Sequence, residues 1–121
     1  MTELNQQLAK AKAANLPVML DFYADWCSSC VEMERKVFSK HEVTKELKQF
    51  VLLRADLTAN SADDQEIMKH FDVVAPQTIL FFNAMGQEVN VKRMVGEMSA
   101  NEFLSRLQVF MAANCDKKAR C

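Results

Sequence analysis

The chain is expected to form an α/β domain, with a central mixed β-sheet covered by helices on both faces. Three observations carry that expectation. The run Val18-Met19-Leu20-Asp21-Phe22-Tyr23 is of strand length and almost wholly apolar, the pattern of a central strand buried on both sides. Segments of helical and strand character follow one another in the order α, β, α, β, α, β, β, α, which needs a mixed sheet. Half of the 121 residues are hydrophobic, which is enough for one compact core, while the length is too short for two domains.

Each element has its own signal. Leu4, Leu8 and Ala11 lie on one face of a first helix, with Thr2 as its N-cap and an end near Asn15 before Pro17. The strand Val18 to Tyr23 follows. From Cys27 the spacing of Cys30, Val31, Glu34 and Val37 suits a helix, and a second helical stretch runs from about Glu42 to Gln49. Phe50 to Ala55 reads as the next strand. Ser61 stands three residues before Asp64, a capping box with aspartate in place of the usual Glu or Gln, and opens a helix carrying Ile67, Met68 and Phe71. Thr78 to Phe82 is a third strand. Asn83 to Gly86 forms a turn in which Gly86 is free to take positive φ, and Gln87 to Val95 returns as the other arm of a hairpin ended by Gly96. Ser99 and Glu102 make a second capping box, for a helix lined by Phe103, Leu104, Leu107, Phe110 and Met111. The domain is expected to occupy residues 1–112, and residues 113–121 a polar, flexible tail.

Composition narrows the function. Fifteen basic and sixteen acidic side chains leave a formal charge of −1, too little field to gather nucleic acid or a membrane surface. No apolar stretch approaches the roughly 18 residues of a membrane span, so no direct membrane insertion is expected. Met1 to Asn5 lacks the charged and apolar blocks of a signal peptide. A complete natural product of this kind would be cytosolic, but a domain of a larger exported or membrane protein would look the same. Four cysteines, at 27, 30, 115 and 121, are too few and too unevenly placed for a disulfide scaffold.

Trp26-Cys27-Ser28-Ser29-Cys30, placed where the buried strand turns into a helix, reads as a redox site. Residues i and i+3 share a helix face, so the two sulfurs can close a small disulfide. Unpaired N–H groups and the helix dipole favour a thiolate at the first cysteine. Cys27 is therefore the expected nucleophile and Cys30, one turn deeper, the resolving thiol. A zinc site would need two more ligands, and His41, His70 and the tail cysteines form no second knuckle, so no metal is expected. Ser28 and Ser29 are expected to set redox poise without reacting.

Asp21 lies six residues before Cys27 within the apolar strand, where an unpaired carboxylate is costly. Desolvation would raise its pKa and let it hold or pass the proton of a buried thiol. The competing reading is a carboxylate that reaches the strand end and is solvated. Glu34, four residues after Cys30, shares that thiol's helix face, and by periodicity alone is an ordinary solvated glutamate. Trp26 can shield the nucleophile and offer a flat face to a partner, or simply pack. Asp25 reads as a helix-start acid and Tyr23 as a strand residue. The eight methionines and eight phenylalanines are core filling.

The segment Asp21-Phe22-Tyr23-Ala24-Asp25-Trp26-Cys27-x-x-Cys30, followed later by a proline, a threonine and an apolar strand, resembles the thioredoxin superfamily over about Asn5 to Phe110. More narrowly, Val18 to Cys27, Glu32-Met33-Glu34 and Ala55-Asp56-Leu57-Thr58-Ala59-Asn60 resemble the C-terminal periplasmic domains of the DsbD family of membrane electron transporters. The resemblance implies a thioredoxin-like fold, with Asp21 as the acid beneath the dithiol and Glu34 as a second acid near it, the latter reading standing level with the solvated one. It also implies a partner surface. In the family a cis proline directly before the Thr-led strand faces the dithiol, and its neighbour's backbone bonds an incoming peptide as an added strand. Here the order is Val74-Ala75-Pro76-Gln77-Thr78, so Gln77 intervenes. Either Gln77 takes the proline position, with a trans or differently shaped loop, or the loop shifts and Pro76 keeps the role with Ala75 as its partner; the second is favoured. Gly96 matches the glycine bordering that surface, and otherwise is a strand terminator.

The function this implies is that of a thiol:disulfide oxidoreductase domain acting as a reductant, soluble and periplasmic within an inner-membrane protein, monomeric, and needing no diffusible cofactor. It would receive electrons from the membrane-embedded domain of the same polypeptide and pass them to the amino-terminal periplasmic domain, then to isomerase and cytochrome-maturation proteins. Two other readings stay open: a free-standing thioredoxin-like reductase or oxidase, and a non-catalytic peptide-binding module using the groove around Trp26, Pro76 and Gly96. Cys115 and Cys121 lie outside the resemblance, could pair or stay free, and are assigned no role.

Overall fold

The computed structural model describes residues 2–89 and 92–114. Its elements are α1 (Thr2–Ala13), β1 (Val18–Tyr23), α2 (Ser28–Met33), a π-helical turn (Glu34–Phe38), α3 (His41–Leu47), β2 (Val51–Asp56), α4 (Ala62–His70), β3 (Thr78–Phe82), β4 (Met94–Val95) and α5 (Ala100–Asn114). The sheet order is β2-β1-β3-β4. β1 runs parallel to β2 and antiparallel to β3, and β3 runs antiparallel to β4, which makes the sheet mixed.

The period of two along β1 sorts its side chains into two cores. Val18, Leu20 and Phe22 pack with Ala11 of α1 and Ile67 of α4, together with Phe71, Leu80 and Phe82. Met19 points the other way, among Met33 and Val37 of the α2 layer, Val43 and Leu47 of α3, and Phe103, Leu107 and Phe110 of α5. Phe50, Phe81 and Phe110 stack there with ring centroids 5.1–5.9 Å apart. Both faces of β1 are therefore buried, which is why its sequence is almost continuously apolar.

Local signals act as their chemistry requires. Ser61 accepts from Asp64 N–H at 3.1 Å while the Asp64 carboxylate accepts from Ser61 N–H at 3.0 Å, so the aspartate version of the box closes in full. Ser99 accepts from Glu102 N–H at 3.1 Å, but the Glu102 carboxylate turns to Arg106 at 3.0 Å, so the second box is half made. Gly86 has φ +79 in the turn after β3.

Several expectations are corrected. Thr2 lies within α1, which ends at Ala13, where Asn15 takes φ +57 and Leu16 N–H bonds Ala11 O at 3.0 Å. The helix after Cys27 is not α-helical throughout, since Glu34–Phe38 widens into a π-helical turn. Phe50 does not begin β2; its N–H bonds Leu47 O at 3.0 Å in the turn that follows α3. Among the described residues of the return arm from Gln87, Glu88 pairs opposite Phe82 and Met94–Val95 pair with β3, while Lys92 N–H bonds Val89 O at 2.9 Å. The last helix runs on to Asn114, and Cys115 and Cys121 lie outside the described residues.

Candidate active site

At its C-terminal end β1 runs into Ala24, which is fully buried, and then into the exposed pair Asp25 and Trp26. Cys27 N–H bonds Ala24 O at 3.1 Å, tightening the turn that delivers Cys27 as the N-cap of α2. Cys27 and Cys30 form a disulfide, with Cα atoms 5.2 Å apart. The two sulfurs differ in access. Cys27 is half-buried at the margin of the core that holds Phe71 and Val73, whereas Cys30 is completely buried. Cys30 N–H points at Cys27 Sγ from 3.2 Å, and Ser29 Oγ stands 3.8 Å from the same sulfur. A donor aimed at Cys27 stabilises its thiolate once the disulfide opens.

Trp26 is 60 % exposed yet anchored, because its Nε1 donates to Thr58 O at 3.0 Å. Thr58 also receives Asp25 N–H on its Oγ1 at 2.9 Å. Thr58 in turn donates its N–H (2.9 Å) and its hydroxyl to Asp56 Oδ1, so the loop after β2 grips the turn before the dithiol. Tyr23 OH donates to Asp25 Oδ1 at 2.9 Å, and the Arg54 guanidinium lies 4.1 Å from the Tyr23 ring centre. Thr58, Asp56 and Arg54 have no assigned role in the sequence reading, and Tyr23 is read there only as a strand residue. The Asp56–Asn60 segment carried part of the family resemblance, and that was the one signal available for the first two.

Asp21 projects to the face of β1 that also carries Met19, beneath the layer formed by Met33 and Val37. It is 5 % exposed, and its Oδ1 has no hydrogen-bond partner. Burial pushes its carboxyl from an ordinary 3.8 up to about 6, against the opposing pull of the Arg54 guanidinium. The structure places Asp21 inside and not at a solvated strand end. Glu34 is half-buried, its Oε1 held by Arg54 Nη2. Asp21, Glu34 and Arg54 line one open cavity of about 330 Å³, with Phe38, Leu47 and Phe50 among its apolar walls. The two acids singled out in the sequence thus share one space, with a cation between strand and helix.

On the other side of β1, the loop into β3 carries the remaining candidates. Val74 and Ala75 are exposed, Pro76 is half-buried and Gln77 is buried. Among the described residues no peptide bond is cis. Gln77 stands between Pro76 and Thr78, the first residue of β3. Gln77 N–H donates to Phe22 O at 3.0 Å, a bond proline lacks the hydrogen to make, and Gln77 O accepts Gly96 N–H at 2.9 Å. It does so at φ +55, with both polar atoms of its buried side chain unpartnered. Ala75 O already accepts the Thr78 hydroxyl at 2.8 Å. Gly96 has φ +86, and a Cβ built there would meet nothing within 4 Å. Among the described residues no helix is long and apolar enough to cross a membrane.

Comparison with known proteins agrees with this geometry. The chain is 50% identical over 106 residues to the thiol:disulfide interchange protein DsbD of Vibrio vulnificus (strain CMCP6), an alignment covering 88% of this chain and 18% of that protein. The chain thus spans less than a fifth of the length of the curated relatives it matches. The reduced C-terminal domain of Neisseria meningitidis DsbD superposes with a TM-score of 0.74 at 25% identity, covering 90% of this chain and 96% of that one. A thioredoxin from Thermus thermophilus superposes equally well, with a TM-score of 0.74 at 26% identity and coverage of 88% and 82%. A family model described as thioredoxin-like matches residues 1–84. With that match spanning most of the chain and including the strand, the dithiol turn and the loop into β3, the chain belongs to the thioredoxin-like family.

Proposed function

We propose that this chain is a thiol:disulfide oxidoreductase domain of the DsbD kind that works as a protein-disulfide reductant. The observation that carries the reading is the asymmetry of the Cys27–Cys30 pair, with one sulfur accessible at a helix start and the other wholly buried behind it. In the reduced chain the Cys27 thiolate attacks one sulfur of a partner disulfide, forming a mixed disulfide and releasing a partner thiolate. Cys30 then loses its proton and attacks Cys27 Sγ. The intramolecular disulfide forms, the second partner thiolate leaves, and two electrons have passed to the partner.

Asp21 suits the proton step. A carboxyl with a pKa of about 6 exchanges a proton near neutral pH, as an acceptor for the deeper thiol must. Glu34, across the same cavity and paired with Arg54, is the second acid of that relay. Trp26, Ala75, Pro76, Gln77 and Gly96 form the docking surface. The open space at Gly96 leaves room for an added strand. The exchange needs no diffusible cofactor, because the electrons reside in the sulfur pair.

The similarity to DsbD supports the finer reading. The domain is periplasmic, part of an inner-membrane protein, and acts as a monomer. It is reloaded by the membrane-embedded domain of the same polypeptide and delivers electrons to the amino-terminal domain, then to isomerase and cytochrome-maturation proteins.

Cysteine replacement tests this. With Cys115 and Cys121 replaced by serine, the variant C30S, mixed in reduced form with an oxidised protein substrate, should accumulate a mixed disulfide through Cys27 visible by mass spectrometry, and C27S should form none. Transfer that persists in C27S would contradict the mechanism. Binding that persists in C27S without any transfer by the unaltered chain would favour a peptide-binding module.

A further inference from the structure

Arg93 stands immediately before β4 with its side chain four-fifths buried. Its Nε donates to Glu88 Oε2 at 2.6 Å and its Nη2 to Glu88 Oε1 at 2.9 Å, a two-pronged pair that fixes the guanidinium plane. From that plane Nη1 donates to Asp72 O at 2.8 Å and Nη2 to Phe71 O at 2.6 Å. Those carbonyls belong to the end of α4. There Asp72 takes φ +55, Asp72 N–H bonds Lys69 O at 3.2 Å and Val73 N–H bonds Met68 O at 2.8 Å, the left-handed closure common at helix ends. That closure satisfies the carbonyls of Met68 and Lys69, and Arg93 takes those of Phe71 and Asp72.

The loop that begins at this point runs to Gln77. Val73 anchors it in the core whose margin holds Cys27, while Val74 is 91% exposed and Ala75 is exposed. The far end is tied to Phe22 and Gly96 through Gln77. One hairpin therefore clamps both ends of the loop: Glu88 and Arg93 hold its start, and Gly96 holds its finish. A helix cap alone needs only one of these carbonyls bonded. A four-bond guanidinium reaching from the hairpin fixes where the loop departs.

We propose that Arg93 is a positioning residue for partner docking, setting the Val73–Pro76 loop so that exchange with a protein disulfide depends on it while exchange with a small disulfide does not. The inference rests on the reading of that loop as the docking surface.

The test compares two substrates of the reduced 121-residue chain, each followed by stopped-flow Trp26 fluorescence. The protein disulfide is the oxidised amino-terminal domain of the Vibrio vulnificus relative, and the small one is glutathione disulfide. In R93M, which keeps the apolar stem and loses all four bonds, the half-saturating concentration of the protein disulfide should rise about tenfold, the worth of one or two charge-assisted bonds. The limiting rate at saturation and the glutathione rate should stay within about twofold of the unaltered chain. R93K keeps the charge but cannot make the forked pair and both carbonyl bonds together, and carries the test if R93M does not fold. E88Q should move the same quantity in the same direction. An unchanged half-saturating concentration in a folded variant overturns the inference, as does an equal loss on both substrates. An unaltered chain that exchanges with glutathione disulfide but with no protein disulfide overturns the docking reading itself, and the inference with it.

Discussion

Asp21 and Arg54 lie opposite each other in the register of the parallel β1–β2 pair, one buried and unpartnered at Oδ1, the other exposed and turned to Glu34. The guanidinium is thus divided between two carboxylates of one cavity and the face of Tyr23. Replacing it changes the balance in a definite direction. R54Q removes the one influence that lowers the Asp21 pKa, so that pKa should rise above about 6. E34Q frees the cation and removes a nearby negative charge, so it should fall below that value. Carboxyl carbon resonances followed against pH in the oxidised protein would show this, and shifts of the same sign in both variants would refute it.

The buried carboxylate also links stability to pH. Its folded pKa of about 6 exceeds the ordinary 3.8, so between those values the folded chain binds the proton and the unfolded chain does not. Stability contributed by this group is therefore full below about pH 4, falls as pH rises toward 6, and is flat above. The gap of about two units corresponds to about 3 kcal/mol at neutral pH. D21N, which cannot ionise, should gain about 2 kcal/mol over the unaltered oxidised chain at pH 7, the remainder going to its unpartnered amide, and lose about 1 kcal/mol at pH 3.5, where only the cost of the amide is left. Urea unfolding at the two pH values measures this; a gain at pH 3.5 equal to that at pH 7 would count against a buried ionising carboxyl.

Thr58 is expected to hold the tryptophan. T58V removes the acceptor for Asp25 N–H and the hydroxyl donor to Asp56, at a cost of about 1 kcal/mol. Because Trp26 is the only tryptophan, its emission reports directly on the turn before Cys27. Emission should shift to longer wavelength and quench more readily with acrylamide. A spectrum identical to that of the unaltered chain would show that the Thr58 side chain does not hold the turn.

Gly96 separates backbone strain from crowding. With φ +86 and open space where a Cβ would stand, G96A should cost about 1 kcal/mol through conformation alone. Thermal unfolding gives the figure, and a cost above about 3 kcal/mol would require a clash the structure does not contain.

What was legible in the sequence was local. The Thr78–Phe82 strand, the Ser61–Asp64 cap and the Gly86 turn depend on neighbours within a few residues, and each appears as read. The cysteine pair and the buried acid of β1 also declared themselves, because a carboxylate inside an apolar run is costly to bury and rarely found there. The ties among Thr58, Trp26 and Asp25, between Arg54 and Glu34, and from Arg93 to Phe71 and Asp72 join residues 20 to 33 positions apart, and no periodicity encodes them. Gln77 was visible only as a departure. That it bonds Phe22 and Gly96 at positive φ needed the strand register to be seen.

The central claim is that the Cys27–Cys30 pair donates electrons. Its most direct test is the equilibrium reduction potential of the chain with Cys115 and Cys121 replaced by serine, measured against glutathione and dithiothreitol buffers. A potential well below the glutathione couple is the predicted result. One well above it would describe a dithiol that prefers to stay reduced, and would contradict the account of this chain as a reductant.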